Sequence, residues 1–528
     1  MAAVRNILFI MCDQLRWDYL SCFGHPTLRT PNIDALAARG VRFANAFVQS
    51  ASCGPSRMSF YTGRYVSSHR AFANFVALPI DERTLGDYLR PLGLRVAVDG
   101  KTHAEGDAAS LRARGIDPAS PAGVLAMEAG FEPYDRHDGV LTDGATLDIA
   151  ANRYTTYLQA QGYAGPNPWL SHANSAVDGS GSVLSGWHMR YAQEPARVAE
   201  PHSETAYSTD RAIEFIREQG DAPWCLHLSY IKPHWPYVAP SPYNAMYRAA
   251  DVVPPVRHAA ERLEPHPILA QYLRHEASRN FSKDEVRYKV IPVYMGLVRQ
   301  VDDHLGRLFD AMEAAGRWRD TMVVFCSDHG DYLGDHYLGE KELFHDSVGR
   351  MPLIVYDPDA AADATRGTVE VDRFVEAIDL LPTFVSALGA RPNADRLEGT
   401  SLLPLLRGEA VPTWRTFTVS EFDYSFRTAT RQALGRPVKE CGMITLRDHR
   451  YKYVHCDGFR PLLFDLQQDP QEFFDLGGRE SSRAILEEYA AKLAQWLLQR
   501  RRYTTCSDRF ADTWLQDARY GGMKIGVW

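Results

Sequence analysis

Two short, unbroken apolar runs, residues 6–12 and 321–326, constrain the fold more than any other part of the chain. A strand covered on both faces has no polar side to show, so such runs read as the interior of a parallel sheet. Each run stops at an acid followed by a polar residue, Asp13-Gln14 and Asp328-His329. Helical patterns at 32–39 (behind Thr30-Pro31), 84–92, 208–218 and 294–315 lie between and after them. Alternating strand and helix imply an α/β fold. Ligands of open α/β sheets collect beyond the carboxyl ends of the strands, so the two acidic pairs should face one crevice.

A less regular stretch, 104–205, is rich in Gly, Ser, Pro and aromatics and reads as loops that shape the crevice. The alternation stops near residue 385, which predicts a catalytic domain over 1–385 and a smaller α+β subdomain over 386–528. In the latter, 451–455 and 461–466 read as antiparallel strands. A helix over 482–499 puts Ile485, Leu486, Tyr489, Leu493, Trp496 and Leu497 on the face that would cover them. The tail from Arg500, with Trp514, Tyr520, Met523 and Trp528, is too apolar for a free end and should dock on its own core or on another subunit. A homo-oligomer, dimer or tetramer, is the corresponding expectation. The run Asp302-Asp303-His304 reads as a solvated helix surface, and His336 and His345 are left out of the site.

With 58 basic and 66 acidic residues and a net charge of -8, the chain has no general attraction for nucleic acid or an anionic membrane. An anionic substrate must therefore be drawn by a local site. The eight cysteines are scattered without a C-x-x-C pair, which suggests a reducing compartment. Arg5 precedes only a short apolar run before Asp13, too little for a signal segment, and no stretch approaches the ~18 apolar residues of a membrane span. The expectation is a cytoplasmic protein.

The chemistry concentrates in Cys53-Gly54-Pro55-Ser56-Arg57, followed by Thr62-Gly63-Arg64. Proline suits the first turn of a helix, and a helix starting here would aim free N–H groups at an anion. Taken with Cys12-Asp13-Gln14, Ser327-Asp328-His329-Gly330 and the C-terminal Leu463-Phe464-Asp465-Leu466, this motif resembles the formylglycine-dependent sulfatases of the alkaline phosphatase superfamily. The resemblance covers most of the chain. It implies an alkaline-phosphatase-like mixed sheet flanked by helices, with a small C-terminal antiparallel sheet. It also implies that a separate formylglycine-generating enzyme oxidises Cys53 to formylglycine. The hydrated aldehyde would attack the ester as a metal-activated nucleophile, and its second hydroxyl would then expel the bound anion.

The resemblance further assigns roles position by position. Asp13, Asp328, His329 and the modified Cys53 would hold one divalent cation, with Gln14 as a further ligand or a donor behind the ligands. Carboxylates with an imidazole suit Mn best, with Mg or Ca as alternatives. Arg57 would hydrogen-bond the diol. Lys101 and His103 match the sulfatase K-x-H pair, His103 serving also as base. His234, in Lys232-Pro233-His234, would protonate the leaving oxygen. Lys341 would contact the transferred group and the leaving oxygen, and Asn74 matches a polar ligand in the phosphonate-hydrolase branch. The Asp328-His329 pair departs from the usual sulfatase Asp-Asn and is similar to phosphonate monoester hydrolases and phosphodiesterases, whose Lys101 and His103 positions look like tyrosine and threonine.

These implications predict an enzyme that hydrolyses small-molecule or aryl sulfate monoesters, with phosphonate monoesters and phosphodiesters as secondary substrates. The alternative exchanges primary and secondary. A silent binding scaffold would have lost members of the site, whereas this chain keeps them.

Overall fold

The computed structural model describes residues 4–139 and 152–500. The apolar runs are the two central strands of an eight-stranded sheet. Its strands are β1 (Asn6–Asp13), β2 (Val41–Phe43), β3 (Arg95–Gly100), β4 (Glu132–Arg136), β5 (Trp224–Pro233), β6 (Thr321–Ser327), β7 (Leu353–Tyr356) and β8 (Val369–Glu370). Their order across the sheet is β8-β2-β7-β6-β1-β5-β3-β4. β7 runs antiparallel to both neighbours, and the remaining pairings are parallel. The predicted mixed α/β sheet is therefore present.

The unbroken apolar character of β1 follows from its two buried faces. Leu8, Ile10 and Cys12 enter one core, and Ile7, Phe9 and Met11 enter the other. The first core is covered by α1 (Pro31–Arg39), α3 (Glu204–Gln219) and α4 (Asp284–Ala314). The second is covered by α2 (Cys53–Thr62) and α5 (Leu380–Ala387). β6, β1, β5 and β3 lie side by side and parallel, so the segments beginning at Asp328, Asp13, Lys232 and Lys101 all emerge along one sheet edge. The 84–92 pattern forms a short helix, Leu85–Leu89, continued by one tighter turn, Arg90–Leu92.

Two sequence expectations about the first 385 residues need correction. α4 begins at Asp284, well before residue 294, and carries Pro292 inside it. A proline lacks the N–H that continues a helix and so reads as a boundary, yet the burial of Val290, Ile291, Val293 and Tyr294 overrides that local cost. The run Asp302-Asp303-His304 is not a solvated surface. Asp302 is fully buried and accepts the backbone N–H of Ile33 (2.8 Å) and Asn32 (3.3 Å), the first turn of α1. Burial pushes its carboxyl up to about 6. His304 meets Glu200 at 2.7 Å, and Tyr243 donates to Asp303 at 2.9 Å. Asp302→Ala strands the buried Ile33 N–H and the part-buried Asn32 N–H and should cost about 2 kcal/mol. Urea denaturation checks this; an unchanged midpoint would contradict the capping role.

The C-terminal sheet is an antiparallel meander of β9 (Thr418–Asp423), β10 (Gly442–Arg447), β11 (Tyr451–Cys456) and β12 (Leu462–Asp465). Helix α6 (Arg483–Gln499) lays Ile485, Leu486, Tyr489, Leu493 and Trp496 against Leu446, Tyr453 and Leu463. Leu497, expected on that face, is 44% exposed instead, while Trp496 meets the Tyr65 ring edge-on at 4.9 Å. Another face of the sheet has a positional task. Phe422, Met443, Val454, Leu462 and Phe464 bury Tyr332, Leu338, Leu343 and Phe344, from the loop that follows β6. That loop holds Leu333, His336, Tyr337, Glu340, Glu342 and Leu343 at positive φ, a conformation that side-chain-bearing residues keep only when packing enforces it. The expected docking of the tail lies outside the described residues. No helix among the described residues is long and apolar enough to cross a membrane.

Candidate active site

Cys53 is the first residue of α2, at the sheet edge where β6, β1, β5 and β3 deliver their ends. All ten residues of α2 are buried. Gly54 lets Asn74 approach closely: an added Cβ would stand 3.0 Å from Asn74 Oδ1 and 3.2 Å from Asn74 Cα, so Asn74 would have to shift. Asn74 Oδ1 accepts the Gly54 N–H at 2.8 Å and lies 3.3 Å from Ser52 Oγ, which ties the segment after α2 to its start.

The Cys53 sulfur has polar neighbours and belongs to none of the apolar clusters. Lys341 Nζ lies 3.1 Å away, His329 Nε2 3.2 Å, Asp13 Oδ1 3.8 Å and Lys101 Nζ 3.9 Å. His103, at positive φ, also reaches the sulfur. Burial alone would raise the thiol, but Lys101, Lys341 and His329 outweigh it and hold the group well below the usual thiol range. The remaining described cysteines are free and carry no such cationic ring; Cys225, for example, is pushed up by burial alone. Position 53 is thus built to carry negative charge.

Arg57, also wholly buried, spends its donors on the frame of the site. Its Nε donates to Asp328 Oδ2 (2.8 Å), Nη1 to the Lys101 carbonyl (2.7 Å) and Ser229 Oγ (2.8 Å), and Nη2 to Asp13 Oδ2 (3.3 Å). Lys101 Nζ pairs with the same Asp13 oxygen. Burial and the Cys53 sulfur push Asp13 up, but Lys101, His234 and Arg57 prevail and keep its carboxyl below the usual range. Asp328 moves the other way, raised by burial and by Asp13. One oxygen each from Asp13 and Asp328, His329 Nε2 and the Cys53 sulfur lie within 4.8 Å of one another, all buried. His329 Nδ1 donates to the Gly330 carbonyl at 2.8 Å, which turns Nε2 to the centre. These donors fit a divalent cation with an oxygen at position 53.

Gln14, at positive φ, donates its backbone N–H to Asp328 Oδ1 (3.0 Å) and its amide to Asp331 Oδ2 (2.5 Å). Its Oε1 accepts from Lys341 Nζ at 3.1 Å. Lys341 Nζ also donates to His234 Nε2 (3.0 Å), whose Nδ1 donates to the Trp235 carbonyl (2.7 Å). Burial and Lys341 push His234 down to about 3, so it is neutral here. Lys232 instead braces the turn, donating to the His234 and Pro236 carbonyls and pairing with Glu204 at 3.4 Å.

Sequence reasoning passed over Asp138, Asp331 and Ser229. Asp138 accepts the backbone N–H of Thr102 and His103 at 2.9 and 3.3 Å and so sets the segment after β3. Asp331 receives both Gln14 and Tyr237, the latter at 2.8 Å. Only Asp331 had a signal, its place in Asp328-His329-Gly330-Asp331 directly after a strand end.

A family model described as Sulfatase matches residues 5–390, and one described as N-sulphoglucosamine sulphohydrolase, C-terminal matches residues 334–499. The multifunctional alkaline phosphatase superfamily protein PehA of Trinickia caryophylli is 33% identical over 521 residues, 94% of this chain and 95% of its own. The arylsulfatase of Clostridium perfringens is 26% identical over 498 residues, 91% of this chain and 92% of its own. Among solved structures, the phosphonate monoester hydrolase of Agrobacterium radiobacter superposes with a TM-score of 0.81 at 30% identity, covering 94% of this chain and 96% of that one. With a matching model over most of its length and a buried acid, cysteine and histidine cluster at the strand ends, the chain belongs to the sulfatase family of the alkaline phosphatase superfamily.

Proposed function

We propose that this protein hydrolyses sulfate monoesters at Cys53, converted to formylglycine, with phosphonate monoesters and phosphodiesters as secondary substrates. The observation that carries the reading is the pair of ammonium groups, Lys101 and Lys341, that bracket the Cys53 sulfur at 3.9 and 3.1 Å, with His103 and His234 beside them. A sulfate monoester offers three non-bridging oxygens around its central atom. A phosphonate monoester or phosphodiester replaces one of them with a neutral substituent, which leaves one of these donors without an acceptor.

Asp13, Asp328, His329 and the oxygen that replaces the Cys53 sulfur would hold a divalent cation, Mn first and Mg or Ca as alternatives, with Gln14 Oε1 close by. When bound, that ion supplies Lewis acidity to the nucleophile and the transferred group. Arg57 keeps both carboxylates oriented. Lys101 and Lys341 neutralise charge on the transferred oxygens. In the free site His234 is neutral, its Nε2 accepting a hydrogen bond from the Lys341 ammonium. An anionic ester bound beside it favours the charged imidazolium, so His234 Nε2 takes up a proton from solvent and passes it to the departing oxygen while Lys341 stays charged. His103, which also reaches position 53, takes the proton whose loss releases the sulfate.

A second reading makes phosphonate monoesters and phosphodiesters the primary substrates. It is favoured by the full-length likeness to phosphonate monoester hydrolases and by His329 beside Asp328. The ratio of kcat/KM for 4-nitrophenyl sulfate and 4-nitrophenyl phenylphosphonate, with Mn-loaded enzyme, separates the two. Sulfate should be preferred, and the double substitution Lys101→Tyr with His103→Thr should shift the ratio towards phosphonate by on the order of 10²-fold. A wild-type ratio favouring phosphonate would install the second reading, and a ratio indifferent to the double substitution would remove Lys101 and His103 from specificity.

A further inference from the structure

Among the described residues, the groups that meet at the reacting position are buried. Cys53, Asp13, Asp328 and His329 are wholly buried, and Lys101, His234 and Lys341 nearly so. Among the groups around Cys53, His103 is only part-buried, as is Asn74 at the start of α2. Trp235, against His234 and Lys341, is also part-buried, and the side open past His103 and Asn74 offers the alcohol part of a bound ester a second way out.

That exit is bordered by phenylalanines. Phe75 follows Asn74 directly, stands 5.4 Å from the His103 ring between centroids, and is 75% exposed at a φ of 65°. A bulky aromatic residue in the left-handed region with its ring in water serves no core, and such conformations concentrate at functional sites. On the other side of Asn74, Phe72 packs against Phe426 of the C-terminal subdomain at 5.8 Å, the two being 37% and 58% exposed. Phe426 precedes Arg427, whose guanidinium grips Glu342, the neighbour of Lys341. The aromatic rim thus runs from Asn74 to the loop that carries Lys341.

We propose that Phe75, with Phe72 and Phe426, forms a binding site for the alcohol part of the ester and takes a flat, apolar, preferably aromatic group. The proposal rests on the reading of Cys53 as the reacting position, and it holds whether the transferred group is sulfate or phosphonate. Exposed apolar patches with a polar surround mark recognition surfaces, and ring-on-ring contact rewards an aromatic occupant.

Two esters of the class the enzyme turns over best, made from phenols of equal acidity that differ by one fused ring, isolate this contact from the chemistry. Wild-type enzyme should favour the larger ester in kcat/KM. Phe75→Ala should reduce that preference about tenfold, chiefly through KM, and Phe75→Trp should keep it. An unchanged preference in Phe75→Ala overturns the proposal. A changed oligomeric state by light scattering without a changed preference overturns it too, assigning the rim to a subunit or tail contact. Absence of turnover by formylglycine-bearing wild-type enzyme removes the Cys53 reading and the rim with it, whereas turnover with unchanged preference removes the rim alone.

Discussion

Cys53→Ala is expected to lower ester hydrolysis by on the order of 10⁴-fold or more, in a protein that still folds. The side chain touches Lys341, His329, Lys101 and Asp13 and takes part in none of the apolar clusters, so its loss opens no cavity in a core. The cations around it keep other partners: Lys101 retains Asp13, and Lys341 retains Gln14 and His234. The start of α2 is held through the Gly54 N–H and Asn74, which the substitution leaves intact. Turnover should fall below detection while circular dichroism and the thermal midpoint stay near those of the parent. A collapse of the midpoint would mean that Cys53 is a packing residue.

Asp328→Asn should remove bound metal, activity and stability together. Its two oxygens have separate tasks besides any ion, Oδ1 accepting the Gln14 N–H and Oδ2 the Arg57 Nε–H. An amide offers one acceptor oxygen and turns an NH₂ towards one of these donors. Arg57 has no exposed surface and divides its charge between Asp328 and Asp13, so halving that compensation leaves a buried cation poorly paired. A loss of about 3 kcal/mol is the expected scale. Metal content after gel filtration should drop well below one ion per chain, and kcat/KM should fall at least 10²-fold, since even residues behind metal ligands cost 10–100-fold. Full metal stoichiometry with full activity would take Asp328 out of the site.

Much of this was legible in residues 6–12 and 321–326, because a strand buried on both faces writes its environment directly into its composition. The helix at Cys53 was legible through Pro55, and the two acidic strand ends through their position after those runs. What escaped depends on residues distant in sequence. Arg57 reads as a donor for the nucleophile, and nothing local announces that four of its five N–H groups also tie Asp328, Asp13, Ser229 and the Lys101 carbonyl, partners from four different segments. Asp302 reads as a surface acid because nothing near it in sequence announces that it caps the first turn of α1. The C-terminal sheet reads as an appendage, although its apolar face holds the strained loop that aims Lys341 at Cys53.

The most direct test of formylglycine at position 53 is a mass spectrum of the tryptic peptide ending at Arg57, taken alongside activity. The protein should be produced with graded amounts of a formylglycine-generating enzyme and loaded with Mn. We predict that the peptide's aldehyde form, in which oxygen replaces sulfur at Cys53, rises in proportion to kcat/KM, with no activity at zero conversion. Full activity in a preparation whose Cys53 peptide is entirely thiol would contradict the account.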